Sequence, residues 1–385
     1  LSNQRIQRHA PQYHPHHHPT AKPQTQIVET WAGIPIVSNT ADYAAQRQMA
    51  TDGGVYMPRE WSYWTRNKLQ ILADYLPAFN AASQKKAAQR IYLDLMAGQP
   101  DNIERHTDVE FDGSPTVALK ADPGFTVLRF GELGTRADKL SAALAERFPG
   151  DKRYKVVKGD CNETIDEVLR ELQPLRWAPT FAFLDQQAAE IHWNTIEKLA
   201  RFRQNKNGWK TELWILMSPT MIAREARRSE QFRQRVSSLY GGNEWLRILH
   251  ALDTRKIKAE QYRQEMVNLM RFQLETALSY QYTHRIPMTM STNKMTIFDM
   301  VFATDHDAGD KIMRHLYNKA AQREPEMMRQ AQIAKADKEA KKAGQDSLFD
   351  VGDIDVKPDD KLGEMLWTPQ PSWDPASRIW WNEDA

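Results

Sequence analysis

Four acidic residues, Asp94, Glu132, Asp160 and Asp185, each lie at the end of a short apolar run. If those runs are parallel strands of one sheet, their carboxyl ends share a rim, and the crevice outside that rim is where open α/β sheets bind ligands. Each acid then has a chemical use, because an ionised carboxylate is an acceptor with two oxygens. An acid ending the second strand can take both hydroxyl hydrogens of a ribose. One after the third can accept from an exocyclic amino group, and one after the fourth can orient a reacting group. Gly98, just past the first run, lets backbone approach a ligand closely.

These roles match what binding S-adenosylmethionine requires. Asp94 and Gly98 would form the turn at its methionine moiety, Glu132 would hold the ribose and Asp160 the adenine. Asp185 would face the transferred methyl and orient the acceptor. Methyl transfer depends on alignment more than on acid–base help, so such a pocket suffices for it. The plainer reading is that the acids are helix N-caps, a position that Asp favours and Glu does not. For any single Asp both readings stand; the four acids taken together favour the site.

The elements that must position these groups follow from periodicity. IYLDLMAG (91–98), FTVLRFGEL (125–133), YKVVKGD (154–160), TFAFLD (180–185) and ELWILMS (212–218) are short apolar runs. Helical patterns separate the later ones, at about 136–148, 163–172 and 193–202. An amphipathic helix carrying Trp61, Trp64, Lys68, Leu69, Leu72, Leu76 and Phe79 precedes them. Alternation of this kind predicts right-handed crossovers and a parallel sheet covered on both faces. The fold class expected is therefore α/β, doubly wound and mostly parallel, of the Rossmann-like type. A helical insertion is expected at about 219–275, then an antiparallel strand pair at the sheet edge from 278–288 and 294–304. The domain plan reads as an N-terminal arm over 1–57, an α/β domain over 58–322, and a charged helix with a Trp-rich tail over 323–385.

From about Trp61 to Met313 the chain resembles the three-Cys-motif partner (TcmP) family. Trp64, Thr65, Lys68, Leu69, Leu72, Tyr75 and Leu76 echo its opening helix. Tyr92, Asp94, Ala97 and Gly98 match its turn after strand one, and Gly113, Ser114 and Pro115 its glycine-serine-proline element. Glu132, then Gly159, Asp160 and Asn162, then Phe183, Leu184 and Asp185 follow in the family's order. Phe302, Ala303, Thr304, His306, Gly309 and Met313 match its terminal strand–helix signature. The resemblance implies a class I methyltransferase-like fold and a partner with a three-cysteine motif of the radical S-adenosylmethionine type. Three features depart from the pattern. Pro100 replaces a glycine, Gln186 and Ala188 replace a proline and a glycine, and an insertion carries Arg105, His106, Asp108, Glu110 and Asp112. Proline fixes φ and removes an N–H, and Gln186 is expected to keep acceptors in its loop while losing a proline's rigidity.

Outside the rim, Arg224, Arg227 and Arg228 head a basic stretch that could track a phosphate backbone, with Trp209, Trp214 or Trp245 to stack bases. Interleaved Glu residues give the alternative of a solvated, ion-paired face. Trp367, Trp373, Trp380 and Trp381 lie in a proline-broken tail, and either pack on this domain or dock on a partner. Bulk charge is neutral, 52 basic against 50 acidic side chains, so it selects no polyanionic partner. Cys161 is the lone cysteine, which excludes an intramolecular disulfide framework and suits a cytoplasmic setting. No run of about 18 apolar residues is present to span a membrane. His14, His16, His17 and His18 sit in a low-complexity arm with no acidic or thiol co-ligands, so no metal site is expected. Three classes stay open: a cofactor-binding enzyme, a non-catalytic partner subunit, and a nucleic-acid-binding protein.

Overall fold

The structure, a computed structural model, describes residues 59–289, 296–342 and 366–382. The expected N-terminal arm and its histidines, and the segment at 343–365, lie outside them. The chain divides after Asp52, and all the described residues belong to the second unit.

Seven strands form the main sheet: β2 (Ile91–Asp94), β5 (Val127–Glu132), β6 (Tyr154–Lys158), β7 (Thr180–Leu184), β8 (Glu212–Met217), β9 (Tyr282–Thr289) and β10 (Thr296–Thr304). Their order is β6-β5-β2-β7-β8-β10-β9. Pairing is parallel from β6 to β8, while β10 runs antiparallel to both β8 and β9. The strand pair that closes the chain's sheet thus puts its antiparallel member one place in from the edge. This is the doubly wound order of the class I methyltransferase-like fold, and it is the fold that the alternation of runs predicts.

β2, β7 and β8 are buried along their whole length, which is why they read as continuous apolar runs. Their side chains alternate between two cores. Ile91, Leu93, Ala182, Leu184, Leu213 and Ile215 pack under α4 (Cys161–Glu171), α5 (Trp193–Phe202) and the insertion helices. Tyr92, Phe181, Phe183, Trp214 and Phe302 pack under α1 (Tyr63–Gln84), α3 (Gly134–Arg147) and α10 (Asp307–Lys342). The insertion is four helices: α6 (Pro219–Ala226), α7 (Glu230–Tyr240), α8 (Trp245–Asp253) and α9 (Ala259–Thr276).

Two features are not visible in the periodicity. The insertion after Gly98 is a hairpin, β3 (Asp101–Glu104) and β4 (Glu110–Asp112), which pairs with β1 (Arg59–Trp61) as a second, three-stranded sheet. α10 is one continuous helix that carries Pro325 inside it, and Arg323 ties it to α1 through Asn67 (2.9 Å) and Asp74 (3.1 Å).

Candidate functional site

Strand order reverses between β2 and β7, so the switch point lies where Asp94 ends one strand and Asp185 follows the other. Asp94 stands in register with Phe130 of β5 and Phe183 of β7. Glu132 and Asp185 therefore project two residues further along, on the strands either side of it.

Asp94 is fully buried. It accepts from the Tyr92 hydroxyl and the Met96 N–H, both at 3.3 Å. Burial pushes its pKa up to about 7; the negative charge of Asp185 adds to this, and hydrogen bonding from Ser114 opposes it. Glu132 is 7% exposed. It accepts the Gly98 N–H at 2.9 Å and the Leu133 N–H at 2.7 Å, and Arg136 lies 2.9 Å from it. Gly98 makes this reach with φ of 67°, a backbone state that glycine adopts at no steric cost.

The glycine-serine-proline element braces this turn. A Cβ on Gly113 would stand 1.9 Å from the Gln99 carbonyl oxygen, so only glycine fits. Ser114 donates to the Ala97 carbonyl at 3.3 Å. The Pro100 carbonyl accepts the Gly113 N–H at 2.8 Å and the Thr116 hydroxyl at 2.7 Å. α2 (Ser114–Lys120) starts here and anchors the turn from outside.

Asp185 is ion-paired to the ammonium of Lys68, which α1 delivers from 117 residues away. Lys68 is buried and its nitrogen stands 5.8 Å from the Phe183 ring centroid. Sequence reasoning placed Lys68 on the helix face but not at this carboxylate. Gln186 is fully buried. Its amide donates to the Leu216 carbonyl at 3.1 Å, and its oxygen accepts the Glu190 and Ile191 N–H groups, both at 3.2 Å. The expected loss of rigidity at this position is therefore corrected: three side-chain bonds to backbone hold the loop where a proline would fix a dihedral.

Asp160 is exposed and caps α4, accepting from the backbone N–H of Asn162 at 2.8 Å and its side-chain amide at 2.9 Å. For this residue the helix-cap geometry is observed. Asn162 in turn donates to the Glu190 carbonyl at 2.8 Å and accepts the His192 N–H at 2.9 Å. It joins the end of β6 to the loop after β7.

The remaining candidates are held by other partners. Arg224 pairs with Glu225 at 2.7 Å, Arg227 with Asp253 at 2.5 Å, and Arg228 stands 3.9 Å from Glu225. Trp214 and Trp245 are fully buried. Trp214 donates to the Tyr317 hydroxyl at 2.7 Å and Trp245 to the Ser237 hydroxyl at 3.0 Å. Both are core residues and not stacking platforms, which corrects the expectation for them. The described part of the tail, 366–382, packs on the same domain. Trp373 is 5% exposed against Phe272, Trp367 donates to the Arg285 carbonyl at 2.9 Å, and buried Arg271 donates to the Gln370 carbonyl at 3.0 Å. Trp380 is half-buried beside Trp381. Cys161 is buried, and burial pushes its thiol up to about 12. Among the described residues no cluster of His, Cys, Asp or Glu is arranged to hold a metal, and no helix is long and apolar enough to cross a membrane.

Strand order and rim together define a methyltransferase-like α/β protein. No protein-family model matches the sequence, and no curated protein does. Solved structures that it is similar to include a proposed caffeoyl-CoA O-methyltransferase from Staphylococcus aureus, 9% identical, covering 69% of this chain and 93% of that one, with a TM-score of 0.32. Another is a DUF519 protein from Legionella pneumophila, 12% identical, covering 68% of this chain and 92% of that one, with a TM-score of 0.37. The fold assignment rests on the strand order itself.

Proposed function

We propose that this chain binds S-adenosylmethionine at the carboxyl rim of its sheet, as a methyltransferase-like protein of the three-Cys-motif partner type. The observation that carries the reading is the bond from Gly98 to Glu132, which makes the turn after β2 and the acid ending β5 one unit at the switch point. The ligand fits the groups present. Its ribose hydroxyls, adenine amino group and ammonium are donors, and Glu132, Asp160, Asp94 and Asp185 are acceptors. Glu132 has three donors already, which leaves its carboxylate about one acceptor position for a ribose. Asp94, with its pKa near 7, gains charge as a cationic group approaches. Asp185 orients the acceptor. When bound, the cofactor supplies a methyl group for transfer, and the chain's part is alignment.

A second reading is favoured by the Lys68–Asp185 pair. It puts an ammonium beside the carboxylate that would face the methyl, as suits a subunit that keeps the scaffold and has given up the reaction. Such a subunit would work beside a radical-type, three-cysteine protein in the cytoplasm, in nucleic-acid modification or repair. It would present the Arg224, Arg227 and Arg228 face, Trp380, or the tail around Trp373.

Calorimetry with S-adenosylmethionine and S-adenosylhomocysteine tests the first reading, and absence of heat with both from folded protein ends it. Co-purification with the three-cysteine partner in that event supports the second.

A further inference from the structure

A cavity of about 570 Å³ opens at the other end of the strands, where Pro179 precedes β7 and Glu212 begins β8. It lies on the amino edge of the sheet, opposite the rim described above. Its size is that of sites for single small molecules.

The walls combine aromatic rings with cations. The Trp209 indole packs edge-on against the His306 imidazole at 4.4 Å, and the Arg203 guanidinium stands 5.8 Å from the Trp209 centroid. Trp177, also lining the cavity, is 44% exposed, a large aromatic surface left at the mouth. Lys86 and Lys206 line it from exposed positions. The one carboxylate among the described lining residues, Glu212, is buried and already taken: it accepts from the Tyr75 hydroxyl at 2.5 Å and the Thr304 hydroxyl at 2.9 Å.

Of the Arg203 guanidinium, Nη1 donates to the Lys210 carbonyl at 3.5 Å, and Nε is buried without an acceptor among the described residues. The His306 imidazole is held below its usual pKa, by burial first and then by the positive charges of Lys86 and Arg203, with Asp307 opposing them. Among the lining residues three cations, Lys86, Arg203 and Lys206, stand against the single carboxylate of Glu212.

We propose that this cavity is a second ligand site that takes a nucleotide, with its base against Trp177 and Trp209 and its phosphate toward Arg203, Lys86 and Lys206. The chemistry needs one planar ring and one anionic group at nucleotide size, and a free nucleoside monophosphate or the terminal nucleotide of a single strand supplies both. Stacking on tryptophan accepts any base, so the site reads the presence of a nucleotide and not its sequence.

The test titrates folded, full-length protein with AMP and with a 5′-phosphorylated deoxyadenosine pentamer, by calorimetry at low and high salt. Binding of either probe is expected, weakened about tenfold or more by Lys86→Glu with Lys206→Glu and by Arg203→Gln. The exposed lysine pair keeps the test decisive if Arg203→Gln disturbs folding. Tighter binding of the pentamer than of AMP assigns the site to a strand end, and equal affinity assigns it to the free nucleotide. Glu132→Ala, at the other edge, is expected to leave this binding unchanged, which separates the result from the fate of the rim. No binding by either probe, binding indifferent to the lysine variants, or competition between AMP and S-adenosylmethionine would each overturn the proposal.

Discussion

Glu132 accepts the backbone N–H of Gly98 at 2.9 Å, and this bond crosses from the end of β5 to the turn after β2. The acid is therefore both a brace for the turn and the group assigned to the ribose. Glu132→Gln keeps one acceptor and loses the charge that faces Arg136. A charge-assisted hydrogen bond contributes about 1.5–3 kcal/mol, so affinity for S-adenosylmethionine should fall about 10- to 100-fold, read by calorimetry.

Asp94 supplies a pH signature. Its folded pKa is raised to about 7 from 3.8, so the folded state holds more protons than the unfolded chain between those values. Stability contributed by this group is complete below about pH 4, declines as pH rises toward 7, and is level above. Asp94→Asn should remove that decline and make the protein more stable at pH 8, by on the order of 2–4 kcal/mol. Urea unfolding across pH 4–8 measures it; an unchanged slope would count against a buried, protonatable Asp94.

Lys68→Met should release Asp185 without emptying the core, because the thioether fills the space of the alkyl stem. Removing one positive charge favours the sulfonium ligand over its neutral product. The preference for S-adenosylmethionine over S-adenosylhomocysteine should rise by about tenfold, equivalent to about 1.4 kcal/mol. Parallel calorimetric titrations of both ligands decide it.

Gly113→Ala brings a Cβ to 1.9 Å from the Gln99 carbonyl oxygen. Backbone has to move, and a loss of about 2–4 kcal/mol is expected. Gln186→Ala strands two N–H groups and a carbonyl that its side chain now satisfies, at about 1–3 kcal/mol for each buried group left without a partner. A fall in thermal midpoint is the readout for both.

The tryptophans of the tail should separate by burial. Trp373→Ala deletes a buried indole and should cost about 3–5 kcal/mol. Trp380→Ala, half-buried, should cost clearly less, so any loss of partner capture from Trp380→Ala alone is readable as contact and not as unfolding. Denaturant midpoints of the two variants make the comparison.

The sheet was legible because β2, β7 and β8 are buried on both faces and so appear as unbroken apolar runs, while the helices between them keep a helical period. The rim acids were legible because each is the first acidic residue at the end of its run. Lys68 was not, since periodicity reports which face of α1 is buried and not which strand end 117 residues away that face meets. The β3–β4 hairpin hid in a short, charged insertion whose strands are too brief to alternate visibly. Gln186 read as a lost proline because sequence shows the missing ring and not the three backbone groups that replace its effect. The amino-edge cavity escaped for a further reason, being assembled from α1, α10, the first residue of β8 and four separate loop segments.

α1 touches both edges of the sheet. Lys68 leaves it for Asp185, and Tyr75, seven residues on, leaves it for Glu212, two turns or about 10 Å along one axis. A single rod thus holds an ion pair at one end of the strands and a hydrogen bond at the other. The two ends of the strands therefore share one helix, whatever each of them holds.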